Sequence, residues 1–146
     1  MGNAFLHVQV KLVQTVQQFI HGKEKSKMAS TTPWGSAQHS SQIVRGLMEY
    51  STSSHGGVHV SSGLAQYLSD FTKSRHTEID KDGGYWFEED CEALLPLYDL
   101  GKALPSVKRA IEARGRKVDD YLEQIKINFP DHPEVTSSLD KDKIAG

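Results

Sequence analysis

The middle of the chain is interrupted by a run that no long helix tolerates: Ser51-Thr52-Ser53-Ser54, then His55-Gly56-Gly57. Small hydroxyl residues and paired glycines are turn formers, for reasons of local hydrogen bonding and backbone freedom. Val58-His59-Val60 follows at once and alternates apolar with polar, the period of a half-buried strand. Upstream, Ile43, Val44, Leu47, Met48 and Tyr50 gather around Gly46. Together these signals predict an antiparallel meander of three short strands near 34–39, 42–50 and 57–60.

Helical spacing dominates elsewhere. Ser62 reads as the cap of a helix over 63–73, with Leu64, Leu68 and Phe71 on one face, and 74–84 reads as a polar loop. Tyr85-Trp86-Phe87 precedes Glu88-Glu89-Asp90, acids that suit a helix N-terminus, so a helix from there towards Tyr98, bent at Pro96, is expected. Ser106 reads as the cap of one long helix over 107–127, carried by Val107, Ile111, Val118, Leu122 and Ile125 and weakened at Gly115. At the N-terminus, Phe5, Val8, Leu12, Val16 and Phe19 with a second apolar stripe predict an amphipathic helix over 1–22.

The resulting fold class is α+β: a small antiparallel β-sheet of about three to four strands packed against helices, with an N-terminal amphipathic helix and a long C-terminal helix. The expected organisation is that helix (1–22), a linker (23–32), a core domain (33–129) and a flexible tail (130–146). A chain of 146 residues leaves room for one core. The formal charge of −2 argues against general nucleic-acid binding, which needs a basic excess. No apolar run reaches membrane-spanning length, and the N-terminus lacks the pattern of a secretory signal, so a cytoplasmic location is expected. Cys91 is the single cysteine, which excludes an internal disulfide and any multi-cysteine zinc site.

Two segments hold the residues able to carry chemistry. His55 beside Gly56 and Gly57 combines a proton carrier with backbone amides that a ligand can approach, although a simple turn has the same composition. Glu88, Glu89, Asp90 and Cys91 supply carboxylates and a thiol, but the acids oppose thiolate formation. One reading is an enzyme with His55 as acid/base, Glu89 as its carboxylate partner and Cys91 as nucleophile. Another is a binding surface of Trp34, His55, Gly56, Gly57, His59, Trp86, Glu88, Glu89 and Asp90, or a pocket of these aromatics that sequesters a nucleotide signal. His39 and His59 could converge with an acid on a metal, yet nothing fixes that geometry, and no metal or other cofactor is expected. Charge is uneven: residues 78–92 hold seven acids against Lys81, whereas 102–127 hold seven bases against four acids. The acidic block either pairs with the basic helix or faces a basic protein. Phosphate-loop, nucleophile-elbow and zinc-protease motifs are missing from the sequence.

Three motifs in order carry a resemblance: Thr32-Pro33-Trp34-Gly35; Ser54-His55-Gly56-Gly57-Val58-His59-Val60-Ser61; and Gly83-Gly84-Tyr85-Trp86-Phe87-Glu88-Glu89-Asp90-Cys91-Glu92. Residues 32–98 resemble a small domain family of unknown function carried by phages, plasmids and related bacterial elements. The resemblance implies the setting of a mobile-element accessory protein rather than a chemistry. It points to a protein that binds a host bacterial protein or complex, in particular an inhibitor of a defence system of the anti-CRISPR kind. A homodimer through the N-terminal helix is a further expectation.

Overall fold

The computed structural model describes residues 31–137. The expected helix over 1–22 and most of the linker lie outside these residues. The architecture is α+β, built on a five-stranded, wholly antiparallel sheet and a separate two-stranded ribbon. The ribbon pairs β1 (Thr31–Thr32) with β2 (Gly35–Ser36). The sheet contains β3 (His39–Val44), β4 (Leu47–Ser51), β5 (Gly56–Val60), β6 (Glu78–Ile79) and β7 (Tyr85–Glu88) in the order β3-β4-β5-β7-β6. The helices include α1 (Ser62–Ala65), α2 (Asp70–Lys73), α3 (Leu94–Ala103), α4 (Pro105–Ala113) and α5 (Val118–Asn128), and the last described residues, 133–137, are helical again.

The structure corrects the expected elements where a local signal was overridden. The single strand over 42–50 is a hairpin, because Val44 pairs with Leu47 across the two-residue loop Arg45-Gly46. The helix over 63–73 is two single turns. Ser61 caps the first, and Ser69, whose hydroxyl accepts from the Thr72 N–H, starts the second. Tyr85-Trp86-Phe87 opens a strand, not a helix. Three consecutive aromatics fit a pleated surface, and β7 sits between β5 and β6. The acids therefore follow a strand, and α3 begins only at Leu94. The long C-terminal helix is divided into α4 and α5. Gly115 takes φ +78° there, a left-handed conformation that ends a helix and that other residues adopt at a cost.

The sheet buries both faces unequally. Leu47, Val58, Val60 and Phe87 project to one side, where they join Leu95, Leu100, Val107, Ile111 and Ile125 from the helices in the main core. Phe87, Leu47 and Leu95 are fully enclosed, and burial of such a side chain stabilises by about 1.5–3 kcal/mol. A register shift between Gln42 and Val44 lets Ile43 and Val44 both pack on this side. The opposite face carries a smaller cluster of Met48, Tyr50 and Trp86, covered by Trp34 and Ala37. At the start of the segment expected as a tail, His132 is buried against Phe71, with ring centroids 4.8 Å apart.

Candidate functional site

The three sequence motifs meet on the smaller sheet face. Thr32 is buried in the ribbon, and its hydroxyl donates to the Gly35 carbonyl while accepting from the Trp34 N–H. That arrangement fixes the loop and lays Trp34 over β5. Trp34 meets Trp86 edge to face, with centroids 5.8 Å apart, and Trp86 also contacts Tyr50 and His59. Gly57 lies beneath. A Cβ there would collide with the Phe87 carbonyl and the Trp34 ring, so the position requires glycine for close approach rather than for an unusual φ.

His59 is committed to a structural clamp. Its Nε2 lies 2.7 Å from Oδ2 of Asp80, while Oδ1 accepts from the N–H groups of Asp82 and Gly84. A Cβ on Gly84 would stand 2.5 Å from the His59 ring nitrogen, so the β6–β7 turn also needs glycine to close. Burial pushes the Asp80 carboxyl up, but the Gly84 N–H, His59 and the Asp82 N–H together hold it below the ordinary carboxylate value. Asp80 is a residue that the motif reading missed. The available signal was Asp80-Lys81-Asp82-Gly83-Gly84, an aspartate positioned to bond its own turn.

His55 stands at the other end of this face. Its Nδ1 is 3.1 Å from Oε2 of Glu88, and its side chain is 51% exposed. The Thr52 hydroxyl donates to the His55 carbonyl and accepts from the His55 N–H, which fixes the turn that presents the ring. The carboxylate beside His55 is thus Glu88, and the expected Glu89 points the other way. Alternation along the strand end sends Glu89 to the helix-facing side, where its Oε1 lies 2.9 Å from where a Gly56 Cβ would be. Asp90 and Cys91 belong to the turn between β7 and α3. Burial, then the Glu92 and Asp90 carboxylates, push the Cys91 thiol up, which disfavours the thiolate a nucleophile needs.

Two further arrangements are not formed. His39 pairs with Ser51 and belongs to the helix-facing side, opposite His59, so they cannot share a metal. The amide cradle expected at Gly56-Gly57 is spent: both residues lie in the β4–β5 ladder, and Trp34 occupies the space above Gly57.

The acidic block maps to β6, β7 and the turn after β7. Among the described residues, its ion pairs are those of Asp80 with His59 and Glu88 with His55. The basic helices pair elsewhere: Arg114 and Arg116 with Glu49, Lys108 with Glu112, Lys102 with Glu134 and Lys126 with Glu123. Glu78, Asp82 and Asp90 are exposed and have no ion-pair partner among the described residues, and Ile79 beside Glu78 on the edge strand is 45% exposed. No helix among the described residues is long and apolar enough to cross a membrane.

No curated protein and no solved structure matches the chain. A family model described as a domain of unknown function, DUF7007, matches residues 27–138 and so takes in all three motifs, the sheet and the helices. The chain belongs to the DUF7007 family.

Proposed function

We propose that this chain is a mobile-element accessory protein that acts by binding, as an inhibitor of a bacterial defence system in the host cytoplasm. The observation that carries this reading is the exposed acidic set of Glu78 on β6, Asp82 in the β6–β7 turn and Asp90 in the turn after β7, none of which ion-pairs with the basic helices among the described residues. Like charges spread over one surface repel one another, and they are balanced when a basic partner surface docks. A nucleic acid would be repelled, so the partner is a protein with a basic face, such as one that itself grips nucleic acid. The motif resemblance supports the mobile-element setting.

The aromatic face serves as the platform for that acidic set. Trp34, Gly57, His59, Asp80 and Gly84 lock the β6–β7 hairpin to the sheet, which lowers the entropy lost when its acids engage a partner. Catalysis is the weaker reading, because His55 has a carboxylate partner in Glu88 but Cys91 is held towards its thiol form.

The test is phage plating on bacteria that carry defined defence systems, with and without the protein. Restored plating against one system is the expected result, and it should disappear in an Glu78→Gln, Asp82→Asn, Asp90→Asn variant with an unchanged melting temperature. Full protection by that variant would remove the acidic set from the mechanism.

A further inference from the structure

The two edges of the sheet are built differently. β6 is two residues long and carries the exposed acid Glu78, an edge that discourages further pairing. β3, at the other edge, runs for six residues, and its first four, His39-Ser40-Ser41-Gln42, are exposed and bury no side chain in either core. No aspartate, glutamate, lysine or arginine occurs from Thr31 to Val44, and β3 holds no proline. The hydrogen-bond alternation shows which backbone groups this edge leaves open. The Thr52 and Ser61 N–H groups donate to the His55 and Gly46 carbonyls, so the even-numbered residues of β4 bond to β5. Odd-numbered Glu49 and Ser51 therefore bond to their partners Ser41 and His39 on β3. Ser40 and Gln42 turn their N–H and C=O groups away from the sheet. The register shift after Gln42, and Arg114 donating to the Gln42 carbonyl, guard that end of the strand. Among the described residues, no side chain covers Ser40 in this way.

We propose that β3 pairs with β3 of a second copy of this chain, antiparallel and about a two-fold axis at Ser40, so that the two sheets join into one. At this register Ser40 donates to and accepts from the same residue of the second copy, the reciprocal bonding of an isologous contact. His39 then faces Ser41 of the second copy on the helix side, and Gln38 faces Gln42. A two-fold axis sets each residue near its own copy, so the contact demands an uncharged strand, and β3 is one. The same operation at β6 would bring Glu78 close to Glu78, a like-charge pairing that destabilises. Centring the pair on Gln42 would press on the Arg114 guanidinium, which holds both the Gln42 carbonyl and Glu49. A charged partner strand would find nothing on this edge to match it. Edge pairing buries less surface than a full domain interface, so a micromolar Kd is expected. Glu78 lies on the opposite edge, and the proposal does not rest on the acidic set.

Sedimentation velocity of the full chain from about 1 to about 200 µM tests this, since that range brackets a micromolar Kd. The mass should rise from monomer to dimer across it. Ser40→Lys and Ser40→Glu each set like charges opposite one another across the axis. Each alone should raise the dimerisation midpoint several-fold at low salt, with an unchanged melting temperature because Ser40 is exposed. An equimolar mixture of the two variants should dimerise again, because opposite charges then meet. A parent that stays monomeric at about 200 µM overturns the proposal and leaves the edge to another chain or to residues 1–30. Variants that dimerise as the parent does place the contact elsewhere, and a mixture that fails to recover removes the axis from Ser40; either result overturns it as well.

Discussion

Gly57→Ala is the substitution that most directly probes how the motifs are joined. One methyl group at this position must displace either the Phe87 carbonyl, which belongs to the neighbouring strand, or the Trp34 ring. Moving the strand is an overpacking cost of about 1–3 kcal/mol. Expelling Trp34 forfeits its edge-to-face contact with Trp86, about 0.5–1.5 kcal/mol, together with the apolar area that the two rings hide. Either route costs about 2–3 kcal/mol, equivalent to a fall in melting temperature of about 6–13 °C for a domain of this size. Thermal unfolding followed by circular dichroism measures the loss. Tryptophan emission separates the routes, because a released Trp34 shifts the spectrum to the red while a displaced strand leaves it in place. Gly63→Ala is the control, since its added methyl has only the Ser61 hydroxyl oxygen nearby, at 4.0 Å. If Gly57→Ala melts with the parent and emits like it, Trp34 does not sit on β5 and the account of the motif is wrong.

Three other expectations follow from single groups. The Asp80 carboxyl is depressed in the folded state, so its contribution is present above the ordinary carboxylate pKa and is lost as pH falls through the folded value; Asp80→Asn should therefore lower the melting temperature at pH 7, with the difference closing below about pH 4. A raised Cys91 thiol predicts alkylation by iodoacetamide at pH 8 that is slower than that of free cysteine, and Cys91→Ala should keep whatever protection the parent gives; rapid alkylation together with loss of protection would revive the nucleophile. Gly115→Ala should cost about 1–2 kcal/mol by strain alone, because φ is +78° and no atom lies within 4 Å of the added methyl, and Gly115→Asn should recover part of the loss in denaturant titration.

The parts of the fold legible in the sequence are those where local and tertiary demands agree. Val58-His59-Val60 alternates because one side of β5 faces the helices and the other faces Trp86 and Asp80. The misread segment at Tyr85-Trp86-Phe87 shows the opposite case. The acids after it resemble a helix start, yet the aromatics are claimed on one side by β6 through a short turn and on the other by β5, a strand far away in sequence. The helix over 107–127 failed for a local reason: Gly115 takes a conformation that composition permits without demanding. At the site, the motif residues were visible, but their partners were not. Neighbouring acids Glu88 and Glu89 serve opposite sides of the sheet, and strand alternation could separate them only once β7 was recognised as a strand. Asp80 lies outside the short runs that drew attention as histidine and glycine motifs, and its role comes from a contact made across the fold.

The central claim is that Glu78, Asp82 and Asp90, unpaired among the described residues, hold a basic protein partner. The direct measurement is affinity capture from bacteria carrying the defence system against which the parent restores phage plating, comparing the parent with the Glu78→Gln, Asp82→Asn, Asp90→Asn variant at matched melting temperature. The account predicts one stoichiometric partner with the parent, released by raised salt as exposed charge pairs are screened, and little or none with the variant. Equal retention of that partner by both forms would contradict it.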